Sequence, residues 1–203
     1  MVCKRKHHTA PIYIHKKAFD EFYGADKNGK PDKNLPTGIS WIAEQKTIED
    51  RLIYTKGPVW ISENIVIAAT LPNHRNNDST DAFYIKNHDG IYSLDFMDHE
   101  QFLAVEEKGN IYVFSGCSHK GILEVIDYTK ILFPDKKLRL LVAGMHLFLC
   151  NSSERKRIIQ KISESELEAV VPLHCTGLDA IYEMKECMGD RCIILSGGDQ
   201  IEI

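Results

Sequence analysis

The sequence predicts an α/β (α+β) protein, and three observations carry the prediction. The first half holds short β-branched and aromatic runs divided by glycine, proline and serine, the rhythm of successive antiparallel strands. The second half alternates apolar runs with amphipathic stretches at helical spacing, the pattern of repeated β-turn-α units. Three of its apolar runs end in a turn that presents one histidine, at His119, His146 and His174.

Residues 11–14 read as a strand, and residues 16–23 as one or two helical turns ended by Gly24. Residues 25–37, rich in Asp, Lys, Asn, Gly and Pro, read as a surface loop inside a single domain spanning 1–203. Residues 51–54, 59–61 and 64–69 follow as strands, and 72–81 as a polar loop. Residues 102–105 and 111–114 flank a hairpin connection with glycine at its turn.

From there Ile122, Leu123, Val125, Ile126 and Ile131 recur at helical spacing until Pro134 stops the helix. A strand over 138–143, a charged amphipathic helix over 153–167, a strand over 170–173 and a helix over 178–188 with Gly189 after it complete the alternation. Residues 193–195 and 201–203 read as closing strands.

Of the 203 residues 43% are apolar, ample for a buried core. The 25 basic and 29 acidic residues are spread along the chain for a net charge of −4, which argues against a nucleic-acid partner. Residues 9–15 are too short and polar for a signal-peptide core, and no stretch is long enough to span a bilayer. The expectation is a cytoplasmic protein with no membrane partner. Six scattered cysteines without a CxxC pair predict reduced thiols rather than a disulfide framework or a cysteine-rich structural zinc site.

The histidines carry the chemistry. They are separated by 27 and 28 residues, each about one strand–helix–strand unit, so they should emerge from neighbouring strands at one sheet edge. Neutral imidazoles that converge are common ligands for zinc or iron. Small residues surround each one: Gly116, Cys117, Ser118 and Gly121 around His119, Gly144 before His146, and Cys175, Thr176 and Gly177 after His174. Glycines let a backbone approach a ligand closely, and helix N-termini offer amides to an anion. Upstream, residues 95–101 (DFMDHEQ) crowd polar groups that could orient the imidazoles or bind substrate, with His99 and Glu100 as the candidates. No HExxH, GxSxG, GxxxxGK[ST] or GxGxxG motif occurs.

In order, DFMDHEQ, GCSHKGI, GMHL, PLHCTG and SGG-x-x-IEI resemble the metallo-β-lactamase superfamily. Within it they resemble the branch of dihydropterin or ribofuranosylaminobenzene-phosphate synthase-like metal-dependent hydrolases. The resemblance runs through nearly the whole chain. It implies an αβ/βα sandwich with a one- or two-metal site at the sheet edges, His119 as the single histidine after the first metal motif, and His174 as the last histidine ligand. His146 stands where many members place a metal-bridging aspartate, so the resemblance leaves it as a ligand or as a substrate contact. The family's HxHxDH motif would fall before Ala10, where His7-His8-Thr9 has neither its spacing nor its aspartate.

The resulting expectation is an N-terminally truncated member that binds a divalent metal (zinc, or else iron or manganese) through His119, His146 and His174. It would act on a small anionic or phosphate-bearing substrate held by His99, Glu100, Gly121, Thr176 and Gly177. An uncovered apolar face would favour a homodimer. The alternatives are a non-catalytic ligand-binding or regulatory module, and a fragment that folds with a partner.

Overall fold

The computed structural model describes residues 9–39, 48–72 and 82–202. Its frame is a six-stranded sheet in the order β12-β11-β10-β9-β6-β5. These strands are β5 (Val59–Ser62), β6 (Ile65–Ala69), β9 (Gln101–Glu107), β10 (Asn110–Ser115), β11 (Lys137–Gly144) and β12 (Ala169–Leu173). The hairpin β9–β10 turns at Lys108 and Gly109, both with positive φ, as the sequence predicts. Strands β10, β11 and β12 run parallel as neighbours, joined by α1 (Ile122–Leu132) and α2 (Ser152–Glu164). Parallel neighbours joined by helices bring their C-terminal ends to one edge. That is why His119, His146 and His174 leave the sheet on the same side.

The helices, with α3 (Leu178–Met188), cover one face of the sheet. The apolar stripes of the helices predict this: Ile122, Val125 and Ile126 of α1, Ile159 and Ile162 of α2, and Ala180, Met184 and Met188 of α3 are buried. They meet Val66, Ala104, Val113, Leu141 and Val170 from alternate positions of the strands. The opposite face is also apolar, because Leu140, Ala169 and Val171 cluster with Tyr112, Val142 and Leu173. Ile193 and Leu195 pack there, while Phe114 remains 41% exposed.

Two smaller sheets complete the described residues. Strand β1 (Ile12–His15) pairs in parallel with β4 (Leu52–Thr55), so β4 does not join β5 in the antiparallel succession expected from the sequence. Strands β3 (Pro31–Pro36), β2 (Glu21–Ala25), β7 (Phe83–Lys86) and β8 (Tyr92–Leu94) form an antiparallel sheet in that order.

Several elements differ from the sequence reading. The helix expected over 16–23 is a single 3-10 turn, Lys16–Phe19, and β2 follows it; Phe22 and Gly24 are buried alternately, the period of a strand rather than of a helix. Within residues 25–37, Pro31–Pro36 pair with β2 as an edge strand, whose exposure suits its polar composition. Helix α2 ends at Glu164, where Ser165 caps it, and not at 167. No closing strands form over 193–195 or at 201–202: Ile193 donates to the Val170 carbonyl beside an isolated bridge, and the chain then leaves the sheet. The polar loop expected over 72–81 lies, apart from Pro72, outside the described residues, as do His7, His8 and residue 203.

Candidate functional site

The turn after β10 carries Cys117, Ser118, His119 and Lys120. Ser118 takes a left-handed φ of 46°, unusual for a residue with a side chain, and its hydroxyl meets that of Ser115 at 2.9 Å. The Glu100 carboxylate clamps the turn from behind by accepting from the backbone amides of His119 and Lys120, the latter at 2.7 Å. Bidentate, charge-assisted bonds of this kind hold a loop more firmly than neutral ones. Lys120 is itself buried, its ammonium donating to the Leu71 carbonyl at 2.7 Å and standing 3.4 Å from Asp98. Asp98 also receives Lys17 at 3.0 Å. Burial alone would raise the Asp98 carboxyl, but the two ammonium groups outweigh it and hold the group below its ordinary range.

The turn after β11 carries His146, whose φ of 51° is again left-handed. Its ring lies against that of His119 with centroids 4.1 Å apart. Phe83 packs edge-on to His119 at 4.9 Å, and Phe148 edge-on to His146 at 5.0 Å. The histidine pair lines one side of a cavity of about 430 Å³, which also touches Gly121, Leu123, Leu147 and Arg157.

The turn after β12 places His174 elsewhere. Its Nε2 is 3.1 Å from Cys117 Sγ, and the Cys175 thiol reaches the Cys117 carbonyl at 3.9 Å. The donor atoms of Cys117, His174 and Cys175 all lie within 4.8 Å of one another, the one such cluster among the described residues. Burial, followed by hydrogen bonding from Cys175, pushes the Cys117 thiol up to about 11. Gly144, on the strand between, makes the meeting possible: a methyl there would stand 2.7 Å from Cys175 Sγ and 3.0 Å from His174 Cε1. The turn is held by packing and neutral bonds. Buried Thr176 accepts from the Met145 amide at 3.2 Å, and Gly177, at φ 84°, lies so close to Phe148 that a methyl would sit 2.6 Å from its Cβ.

The expected site residues therefore divide. His119, His146 and Gly121 share one cavity, and His174 stands with two cysteines. Glu100, Thr176 and Gly177 shape the turns. His99 packs on Phe22 with ring centroids 4.4 Å apart and lies 3.9 Å from Asp95; burial chiefly pushes its pKa down, against the pull of that carboxylate. The sequence reading missed the cysteines as a pair, Lys120 as a buried cation and Gly144 as the space between strands. The available signal was a cysteine within two positions of a histidine in two of the three turns.

No family model matches the chain. It is 25% identical over 175 residues, 86% of its length, to an uncharacterised protein of Methanocaldococcus jannaschii. Over 88% of its length it is 22% identical to the 7,8-dihydropterin-6-methyl-4-(β-D-ribofuranosyl)-aminobenzene-5′-phosphate synthase of the same organism. The chain spans 62% and 61% of the lengths of these relatives. A solved structure described as a metal-dependent hydrolase of the β-lactamase superfamily superposes with a TM-score of 0.78 at 23% identity, covering 95% of this chain and 71% of the other.

Proposed function

We propose that this chain, which has the fold of a β-lactamase-superfamily metal-dependent hydrolase, is a metal-dependent hydrolase of a small anionic, phosphate-bearing substrate. The observation that carries the reading is the His119–His146 pair on the wall of the 430 Å³ cavity. The donor chemistry fits a divalent ion, zinc first: the imidazoles of His119 and His146 stand ring to ring, and His174, with thiols beside it, leaves the end of the next strand. Such an ion supplies Lewis acidity and makes water a nucleophile near neutral pH.

The protein's own groups have defined tasks in this reading. Glu100 fixes the backbone of His119, and Thr176 fixes Met145 and through it the approach to His146. The cavity opens at the first turn of α1, where helix amides lack intrahelical partners and favour an anion. Arg157, already paired with Glu154, stands at the cavity's other lining helix, α2. Leu123 and Leu147 supply an apolar wall suited to a ring or chain attached to the anionic group.

The test is hydrolysis of bis(p-nitrophenyl) phosphate by the purified chain, with metal content measured on the same sample. Zinc-dependent turnover that His119→Ala and His146→Ala each abolish is the expected result. Turnover and metal content unchanged in both variants would overturn the reading.

A further inference from the structure

A cavity of about 550 Å³ lies apart from the one that His119 and His146 line, and the two share no lining residue. Its wall forms where strands end. Strands β1 and β4 run parallel with His15 opposite Thr55, so the 3-10 turn Lys16–Phe19 and Lys56 leave the pair together, and Thr70, after β6, joins them. We infer that this cavity is a binding site for a small organic anion that carries a flat ring.

The charge of the wall favours an anion. Lys16, Lys17 and Lys56 line it with two carboxylates, Asp20 and Asp98. Asp98 is already engaged by Lys17 at 3.0 Å and by buried Lys120 at 3.4 Å, and neither Lys16 nor Lys56 forms an ion pair among the described residues. Ammonium groups left without a carboxylate around a concave site raise the local concentration of an anion.

A directed donor stands beside them. The His15 ring is buried, and its Nδ1 accepts from the Lys17 amide at 3.2 Å. Burial chiefly holds its pKa below the ordinary value, so the ring is neutral and its one hydrogen is on Nε2. Nε2 donates to Thr70 Oγ1 at 3.2 Å, which leaves the hydroxyl hydrogen of Thr70 for an acceptor in the cavity. Thr70 holds this place at a φ of 54°, strained for a β-branched residue, and such strain gathers at ligand clamps.

Phe19 and Tyr54 supply a surface for a ring. Their own rings meet edge-on at 6.2 Å, and Tyr54 is 44% exposed. The volume lies in the range of small-molecule sites.

The inference uses none of the residues assigned to hydrolysis, so it stands or falls apart from that reading. The experiment is calorimetric titration of the full chain with phenylphosphonate, whose carbon–phosphorus bond resists hydrolysis. One equivalent should bind. Methylphosphonate, which lacks the ring, should bind roughly tenfold more weakly, and uncharged benzyl alcohol should not bind. Replacing both Lys16 and Lys56 by alanine should weaken phenylphosphonate by roughly tenfold or more. Tyr54→Ala should weaken phenylphosphonate but not methylphosphonate, Thr70→Val should weaken both, and His146→Ala should bind as the wild type does.

No binding at millimolar concentration, equal affinity for the two phosphonates, binding kept in the lysine double variant, or binding lost in His146→Ala would overturn the inference. Should a variant fail to fold, acetylation of the wild-type chain decides. Phenylphosphonate should protect Lys16 and Lys56 while exposed Lys108 reacts throughout; equal acetylation of all three with and without it refutes the site.

Discussion

The turns that follow β10 and β12 occupy equivalent places in the fold, yet they are held by different physics. The first is held by charge: Glu100 grips two amides, and the buried Lys120 ammonium lies between Asp98 and the Leu71 carbonyl. The second is held by shape, through Gly144 and Gly177 at close approaches, and by neutral bonds such as the one Thr176 accepts from the Met145 amide. A position fixed by charge can be tuned by pH and salt, whereas one fixed by contact responds only to volume. The histidine in the charge-held turn lines the cavity of about 430 Å³, and the histidine in the shape-held turn meets the cysteines.

Substitution should separate the two. Gly177→Ala carries the largest expected effect, about 3 kcal/mol of lost stability, because the new methyl meets Phe148 and the backbone stays at φ 84°. Urea unfolding should show that loss to be the same at low and high salt. Glu100→Ala should cost about 2 kcal/mol by leaving two amides of the turn without their charged acceptor, and its penalty should change with ionic strength. Thr176→Val, which removes the partner of the buried Met145 amide, should cost about 1 kcal/mol with no salt dependence. Equal salt responses in the three variants would erase the distinction.

The smallest effect is that of pH. His15 and His99 both have pKa values lowered chiefly by burial, so the unfolded chain binds protons more readily than the folded one. Their contribution is complete above the unfolded value of about 6.5 and is lost as the pH falls below it toward the folded values. Asp98 acts further down: its lowered carboxyl stabilises above its ordinary value of 3.8, and that stability is lost as the pH falls through the folded pKa. These groups lie on the charge-held side. Acid should therefore shift the unfolding midpoint of wild type and of Gly177→Ala by the same amount, and that of Glu100→Ala by a different one.

The second half of the chain was more legible than the first. Helix α3 runs over Leu178–Met188 as its punctuation by Gly177 and Gly189 implies, and α1 starts after Gly121 and stops before Pro134. Each is a long periodic segment with clear ends. The first half deceived because Ala18, Phe19, Phe22 and Tyr23 mimic a helical spacing, although only Phe22 of these is buried. Strands β7 and β8 are four and three residues long and lie between polar turns, too short for a period to register.

For the site, the histidine positions were readable from one local rule repeated three times. The pairing of His174 with Cys117 was not, since it depends on how β10 and β12 flank β11. That register places Ala143 opposite Ser115 and Gly144 opposite Leu173, and nothing in either turn alone announces it.

The left-handed backbone at His146 has a consequence for its substitution. Glycine would adopt φ 51° without strain, so replacing His146 by glycine should relieve the backbone by up to about 1 kcal/mol while giving up the ring's contacts with His119 and Phe148 and emptying the cavity of one imidazole. The left-handed backbone and the imidazole on the cavity wall thus make opposite demands on this one position.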